Sequence, residues 1–318
     1  MNTDIFAAQI PANAGQVRLA HWGVIRATGD DASAFLQGQI THDLALLPAD
    51  QARYAAYCNA QGRMQANFVI WKRDQAVWIA APVSAIDALI KRWRMFVLRA
   101  KCTFEDLSNS HAVVGVWGAT AAPWAGASAW SVRHSELDQL PGVGVRLPDT
   151  VVADQALLRA LVVLDGLPSL EASADAARVW DGLDIQAGLP WITPATANQL
   201  VPQMVNMESL DGVSFKKGCY PGQEVVARSQ FRGAIKRRGE RILVQASAES
   251  PVQAGQDVFA NGQPVGMVVN AAMVSEGLYA AFISIHVGES EGRTLHVGAA
   301  DGPEAQRLGL PYPLLTDL

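Results

Sequence analysis

The sequence predicts an α+β protein whose body contains layered antiparallel sheets and whose C-terminal part is a small antiparallel β-barrel or sandwich. Three observations predict this fold. Between residues 17 and 104, segments with the pattern of strands surround a segment with helical spacing. After residue 238 only short strands follow, and Asn261-Gly262 is a strong hairpin turn between two of them. The 318 residues are 50% hydrophobic and 17% charged, which gives enough core for two or three domains.

In the first half of the chain, hydrophobic periodicity predicts the strands and helices. Strands are predicted at 17–20, 22–28, 77–81, 97–104 and 111–117, and a hairpin at 54–71. A short helix follows Asp30, which can cap it, and Gly38 can end it in a left-handed conformation. A second helix begins at Ser84, because apolar residues then recur at helical spacing as far as Trp93. The segment Asn59-Ala60-Gln61-Gly62 supplies the hairpin turn.

In the second half of the chain, the predicted secondary structure changes near residue 238 from helices to short strands. Helices are predicted at 153–164 and at 173–179, the latter capped by Ser173. Strands are predicted at 241–246, 252–260, 264–269 and 278–285. We therefore expect a body of two intertwined α+β sub-domains at 1–237, with residues of roughly 45–110 forming one layer, and a separate barrel at 238–318.

Charge and cysteine content limit the function. The net charge of −5 does not favour nucleic acid or membrane binding by the whole chain. Cys58, Cys102 and Cys219 are scattered, odd in number and without a C-x-x-C pair, which argues against a disulfide framework and against a tightly bound metal. A reducing, cytoplasmic compartment fits best. No basic leader before an apolar stretch and no apolar run of about 18 residues occurs, so neither a signal peptide nor a membrane span is predicted.

One stretch, residues 215–228, concentrates reactive chemistry. Cys219 lies beside Lys216 and Lys217, and Pro221 suits the first turn of a helix that would follow. Ammonium groups and a helix N-terminus favour the thiolate form of a cysteine. The alternative is a loop in which the cysteine is a small buried residue.

The same region is locally basic, with Glu224 as its one acidic residue between positions 216 and 238. The basic residues are Lys216, Lys217, Arg228, Arg232, Lys236, Arg237 and Arg238. Such a patch could hold an anionic ligand tail or an RNA backbone, or it could be an ordinary solvated face.

The motif K-G-C-Y-x-G-Q-E, from Lys217 to Glu224, followed by A-R ending at Arg228, resembles the YgfZ-type folate-binding proteins. These are relatives of the glycine-cleavage T-protein, an aminomethyltransferase. The segments 29–43 and 183–190 resemble the same family. The resemblance implies a T-protein-like folate-binding body with a C-terminal β-barrel, tetrahydrofolate or a related folate as cofactor, and a role in iron–sulfur cluster assembly or repair and in tRNA modification.

The chain departs from the transferases at two places. After the N-A-x-G turn, the two acidic positions of aminomethyltransferases are Ala66 and Asn67, and an amide cannot take up a proton as a carboxylate does. The glutamate that grips the pterin in folate-binding relatives is Gln186, which lacks the charge of a bidentate contact. The resemblance therefore implies a protein that is not a true aminomethyltransferase and whose folate contacts are Gln186, Asn67 and Trp191.

By this resemblance Cys219 is the functional thiol and Lys217 promotes its thiolate form. The residues expected to shape the loop and helix around it are Gly218, Tyr220, Gly222, Gln223, Glu224 and Arg228. The expected partners are folate and iron–sulfur client proteins or assembly factors, with tRNA involved only indirectly or weakly. Two alternatives stay open: a tetrahydrofolate-dependent aminomethyltransferase or demethylase, and an RNA-contacting module that uses the basic run.

Overall fold

A computed structural model describes residues 14–152, 155–231 and 235–315. The strands are β1 (Ala14–Arg18), β2 (Trp22–Thr28), β3 (Ala52–Cys58), β4 (Met64–Arg73), β5 (Ala76–Pro82), β6 (Thr103–Asp106), β7 (Ala112–Gly118), β8 (Val132–Leu137), β9 (Leu140–Arg146), β10 (Thr150–Val152), β11 (Gln155–Leu157), β12 (Arg159–Leu164), β13 (Arg237–Gln245), β14 (Asp257–Ala260), β15 (Gln263–Ser275), β16 (Leu278–His286), β17 (Leu295–Val297) and β18 (Glu304–Leu308). The helices are α1 (Ala32–Gln37), α2 (Val83–Val97), α3 (Ala174–Gln186), α4 (Gln223–Phe231) and α5 (Val287–Ser290), with short 3₁₀ helices at Ala119–Ala121, Pro202–Val205 and Met207–Leu210.

The body consists of two five-stranded antiparallel sheets. One has the strand order β3-β4-β5-β2-β6 and the other β1-β7-β12-β9-β8. Residues such as Tyr54 on the first sheet and Leu161 and Val163 on the second belong to one buried cluster, so the two sheets share a core. Helix α2 covers the opposite face of the first sheet through Ile86, Leu89 and Trp93. This arrangement confirms the predicted α+β fold with layered sheets.

The C-terminal part is a closed barrel with the order β13-β16-β15-β14-β17-β18. The turn between β14 and β15 has positive φ at both central residues, 49° at Asn261 and 74° at Gly262. This is the conformation that an Asn-Gly hairpin favours, because its twist matches that of the flanking strands. Alternate residues of β13 and β16, including Ile242, Val244 and Ile283, fill the barrel interior. The expected C-terminal barrel is confirmed, whereas its independence as a domain at 238–318 stays a prediction.

The predicted helix at 153–164 is wrong in the described part of that range, which contains β11 and β12. Strand β12 is buried along its whole length because it pairs with β7 on one side and with β9 on the other. A fully buried strand is a continuous apolar run, which periodicity cannot separate from a buried helix. The hairpin of β8 and β9 was not predicted either.

Smaller corrections concern element ends. Helix α2 has Pro82, not Ser84, as its N-cap and extends to Val97, so the strand predicted at 97–104 shortens to β6. The N-cap of α1 is Asp31, and Gly38 follows the helix with φ of −81°, which is not left-handed. The cap of α3 is as predicted: the Ser173 side chain accepts a hydrogen bond from the backbone N–H of Ala176.

The sheet built from residues of 45–110 also takes in β2, which comes from earlier in the chain. Strand β1, just before it, pairs instead with β7 in the second sheet. The chain thus passes between the two sheets within a few residues, at the turn around Leu19 to Trp22. In the described ranges, no helix has the length and apolar character needed to cross a membrane.

Candidate functional site

The ammonium group of Lys217 connects the loop that carries Cys219, called the cysteine loop below, to the end of α1. Its Nζ donates hydrogen bonds to the backbone carbonyls of Gln37 and Ile40, the latter at 2.6 Å. The same nitrogen lies 5.0 Å from the centre of the Tyr220 ring, within cation–π range. Desolvation by burial lowers the pKa of Lys217 to about 8, although the charges of Asp43 and Cys219 oppose this shift. Lys217 therefore clamps the loop as well as contributing charge near the thiol.

The segment that receives this clamp is itself tied to the rest of the site. The Thr41 hydroxyl donates to the carbonyl of Gly212 at 2.8 Å and accepts from the N–H of Ala56 at 2.9 Å. The backbone N–H of Ser214 donates to the carbonyl of Thr41 at 2.9 Å. These bonds join the end of α1, strand β3 and the lead-in to the cysteine loop, which are distant in sequence.

A third segment, the turn between β3 and β4, packs against the loop through two glycines. A Cβ on Gly222 would lie 2.3 Å from the carbonyl oxygen of Asn59 and 2.5 Å from Cα of Gly62. Gly222 also has φ of +77° and Gly62 has φ of +72°. Only glycine fits both the close approach and the left-handed backbone. The cysteine motif, the end of the 29–43 segment and the β3–β4 turn thus meet at one place.

Cys219 is exposed, while Cys58 and Cys102 are buried. Burial raises the pKa of the Cys58 thiol to about 12 and that of Cys102 to about 11, which makes both poor nucleophiles. Beside Cys219, a Cβ on Gly218 would have no neighbour within 4 Å. The thiol therefore lies on an open surface that another molecule can reach.

Helix α4 follows the loop but begins at Gln223, so Pro221 precedes the helix and does not lie in its first turn. The Gln223 side chain accepts a hydrogen bond from the N–H of Tyr220 at 3.3 Å. Glu224 is exposed in the first turn and Arg228 is exposed in the last turn. Each charge has the sign that the helix dipole favours at that end.

The basic run does not form one continuous face. Lys216, Arg228 and Lys236 are exposed, but Arg238 is buried and its guanidinium donates to the carboxylate of Glu208. Lys217 is committed to the clamp. Arg232 lies outside the described residues. The surface charge available near Cys219 is therefore smaller than the sequence suggests.

Two of the residues expected to contact folate, Gln186 and Asn67, form hydrogen bonds with other groups of the protein. Gln186 donates from Nε2 to the carbonyl of Val151 at 3.0 Å and accepts at Oε1 from Arg241 at 2.8 Å. Asn67 donates to the Tyr54 hydroxyl at 2.6 Å and the Pro190 carbonyl at 2.9 Å, and accepts from the N–H of Ile192 at 2.7 Å. Both amides are buried and hydrogen-bonded to protein groups, and their contact with a folate stays a prediction.

Trp191 occupies a different setting. Its indole Nε1 donates to Asp184 Oδ2 at 2.8 Å, and its ring packs edge-on against Trp22 with centroids 4.6 Å apart.

The buried ion pair between Arg159 and Asp184, 2.5 Å between Nη1 and Oδ1, was not singled out from the sequence. Desolvation by burial raises the pKa of Asp184 to about 6, while Arg159 and Trp191 oppose the rise. The only sequence signal was that Asp184 lies between two apolar residues, Leu183 and Ile185, in α3.

Comparison with known proteins agrees with the fold. Residues 7–130 match the model of the GCVT N-terminal domain. The aminomethyltransferase T of the glycine cleavage system from Bartonella henselae superposes with a TM-score of 0.68 over 98% of this chain and 89% of that chain, at 18% identity. The protein therefore has the fold of the glycine-cleavage T-protein class.

The curated relatives are more specific. The tRNA-modifying protein YgfZ of Serratia proteamaculans is 33% identical over 273 residues, which cover 82% of this chain and 81% of that protein. YgfZ of Yersinia pestis (strain Pestoides F) is 30% identical over 296 residues, covering 86% of each, and that of Photobacterium profundum is 28% identical over 315 residues, covering 94% and 91%. The chain belongs to the YgfZ family.

Proposed function

We propose that this protein is a folate-binding accessory factor that supports the assembly or repair of iron–sulfur enzymes, and through them tRNA modification, with Cys219 as its functional thiol. The observation that carries the proposal is the exposed Cys219 on a loop that α1 and the β3–β4 turn hold in place. Relatives named as tRNA-modifying proteins support the link to tRNA. Three unpaired cysteines fit a reducing, cytoplasmic compartment.

The chemistry of the thiol follows from its surroundings. One thiol cannot hold a cluster unaided, because clusters are normally held by four protein ligands. Cys219 therefore acts as a transient ligand or as a redox group on a cluster whose other ligands come from a client protein. The open space beside Gly218 admits such a partner. Lys217 places a positive charge near the thiol, and Tyr220, Gly222 and Gln223 keep the loop in shape.

A substitution of the thiol tests this proposal. Cys219→Ser replaces one sulfur by oxygen on an exposed loop, so the fold is expected to survive. In cells that depend on this protein, we expect Cys219→Ser to lower the activity of iron–sulfur enzymes and the level of tRNA modifications that need them. Cys102→Ser, at a buried thiol, is the matched control and should retain both. Full function of Cys219→Ser, with normal protein levels, would overturn the assignment.

Folate binding is proposed from the family and the fold, and the proposal includes no reaction of the folate. Titration of tetrahydrofolate against intrinsic tryptophan fluorescence tests it, since the chain has nine tryptophans. Gln186→Glu keeps an acceptor for Arg241 but removes the donor to the Val151 carbonyl. Tighter binding by Gln186→Glu would support contact between residue 186 and the pterin. Absence of binding by both proteins would remove folate from the proposal and leave Cys219.

The second candidate is a tetrahydrofolate-dependent aminomethyltransferase or demethylase, which the shared fold favours. Ala66 carries no acid, and the amide of Asn67 is hydrogen-bonded within the core. Neither residue can balance a developing iminium as a carboxylate does. Formation of methylenetetrahydrofolate from an aminomethyl donor is therefore expected to be absent. Robust turnover would replace the accessory role with this one.

The third candidate is direct RNA contact by the basic residues beside Cys219. Only Lys216, Arg228 and Lys236 are exposed there among the described residues of that run. A gel-shift with tRNA at low and moderate salt tests it, because binding through phosphates weakens steeply with salt. We expect weak binding or none, which fits an indirect role in tRNA modification. A tight, salt-sensitive shift would favour the RNA-contacting module.

A further inference from the structure

The end of helix α2 carries a group of large apolar side chains that the fold does not bury. Met95, Phe96 and Leu98 are 64%, 45% and 87% exposed, and Leu98 is the most exposed large apolar residue in the described part of the chain. The helix makes its core contacts through earlier turns, as far as Trp93. Single exposed apolar residues are ordinary, but adjacent ones rimmed by polar residues mark a surface that another body covers.

Leu98 gains nothing for the fold from its position. It directly follows the last residue of α2 and has φ of 45° and ψ of −99°. A left-handed φ at a helix end is normally taken by glycine, since a side chain strains the backbone there. A large apolar residue that is both in solvent and in an unfavourable conformation indicates a role outside the fold.

The same end of the helix is basic. The sequence has five basic residues and no acidic one between Asp87 and Glu105. Two of the five form exposed ion pairs, Lys91 with Asp87 at 2.7 Å and Lys101 with Asp30 at 3.0 Å. The other three are arginines.

These arginines keep their charge uncompensated. Among the described residues, no ion pair involves Arg92, Arg94 or Arg99, and all three are exposed. The Arg92 guanidinium lies 4.8 Å from the centre of the Phe96 ring, and Arg94 donates to the carbonyl of Phe104 at 2.8 Å. Neither contact removes a positive charge. The apolar group is therefore flanked by cations that are available to an anionic surface.

We propose that the end of α2 binds the surface of a membrane that contains anionic lipids. The three apolar side chains enter the headgroup region, and the basic side chains contact the lipid phosphates. A protein partner would need a pocket shaped to this projecting group, and protein interfaces are poor in lysine, whereas a bilayer accepts apolar side chains of any shape.

The net charge of −5 for the whole chain does not prevent this binding, because salt at physiological concentration limits the effect of exposed charges to about 8 Å. The local charge at the end of α2 therefore decides. The proposal does not depend on the role of Cys219.

Co-sedimentation of the full chain with sucrose-loaded vesicles tests the proposal. One set of vesicles is phosphatidylcholine alone, and in the other about one third of the lipid is phosphatidylglycerol. We expect saturable binding to the anionic vesicles that weakens as salt rises, and at least about tenfold weaker binding to the neutral ones. Equal binding to both compositions would contradict the role of the arginines. No binding to the anionic vesicles at low salt would overturn the proposal in favour of an acidic protein surface.

Two leucine substitutions separate binding from folding. Leu98→Gly removes the exposed side chain and relieves the backbone strain, so we expect at least about tenfold weaker binding to the anionic vesicles without a lower urea midpoint of unfolding. Leu167→Gly removes a side chain that is 50% exposed and follows strand β12, and it should bind like the wild type. Unchanged binding by Leu98→Gly would place the contact elsewhere, and a lower midpoint would show that Leu98 serves the fold. Either result contradicts the proposal.

Two arginine substitutions test the charge in the same way. Arg99→Gln removes one uncompensated cation at the end of α2 and should weaken binding to the anionic vesicles by about fivefold. Arg133→Gln changes the net charge equally, at an exposed position on strand β8, and should leave binding unchanged. An equal loss in the two variants would mean that the charge of the whole chain governs binding, which would contradict a site at the end of α2.

Discussion

Gly62 and Gly222 lie backbone against backbone: a Cβ on Gly222 would be 2.5 Å from both N and Cα of Gly62. This contact joins the β3–β4 turn to the loop that carries Cys219. Real Cβ atoms do not approach other atoms so closely, so the two turns could not pack in this way with larger residues. The position of the thiol relative to the body thus depends on two glycines that are far apart in the sequence.

The first prediction concerns this contact. Gly222→Ala meets both the Asn59 carbonyl at 2.3 Å and an unfavourable φ of +77°, and we expect it to lower the free energy of unfolding by about 1–3 kcal/mol. Gly218→Ala, in the same loop, meets nothing within 4 Å and should change stability by less than about 0.5 kcal/mol. Urea unfolding measures both. Equal effects of the two substitutions would mean that the glycine contact does not hold the loop.

The second prediction concerns the Lys217 clamp. Lys217→Met removes the donor to the carbonyls of Gln37 and Ile40 while keeping much of the side-chain length. We expect the backbone amide of Ser214, which donates to the carbonyl of Thr41, to exchange hydrogen at least about tenfold faster, since local opening no longer breaks the bonds of Lys217. Lys216→Met, at the exposed neighbour, is the control and should exchange like the wild type. Unchanged protection in Lys217→Met would show that the loop is held by other contacts.

The third prediction is the pH dependence of the same residue. Burial lowers the pKa of Lys217 to about 8 from its ordinary value of 10.5. Between these two values the unfolded chain binds more protons than the folded chain, so this residue makes the free energy of unfolding rise as pH increases from about 8 to 10.5. Carbon-13 NMR of the lysine Cε should show one lysine titrating near pH 8, and its signal should vanish in Lys217→Met. A titration near the ordinary value would contradict the buried clamp.

The sequence predicted the cysteine motif itself because Lys217 to Glu224 is contiguous and unusual in composition. It could not predict that Lys217 contacts the carbonyls at the end of α1, because backbone carbonyls leave no trace in side-chain pattern. The Ser173 cap was predictable, since capping is local. Strand β12 was not, because burial on both sides removes the alternation that marks a strand. Features that depend on neighbouring residues, such as the helix cap, could thus be predicted from the sequence. Contacts between segments that are distant in the sequence could not.

The same limit applies to Arg159 and Asp184, which no motif connects. Arg159 is fully buried, donates from Nη1 to Asp184 and from Nε to the carbonyl of Pro148, and lies 5.5 Å from the ring of Trp180. Such a pair costs desolvation free energy when it forms, but the loss of one partner leaves the other charge buried and uncompensated. The pair therefore matters more through the damage done by breaking it than through its own stabilisation.

The fourth prediction follows from that asymmetry. Asp184→Ala is expected to lower the free energy of unfolding by about 3–5 kcal/mol, because the guanidinium of Arg159 then stays buried without a carboxylate. The double variant Arg159→Met with Asp184→Leu removes both charges and should be less destabilised than Asp184→Ala alone. Asp175→Ala breaks an exposed pair with Arg178 and should cost no more than about 1 kcal/mol. Urea unfolding ranks the three, and a double variant that is less stable than Asp184→Ala would show that the ion pair itself stabilises the fold.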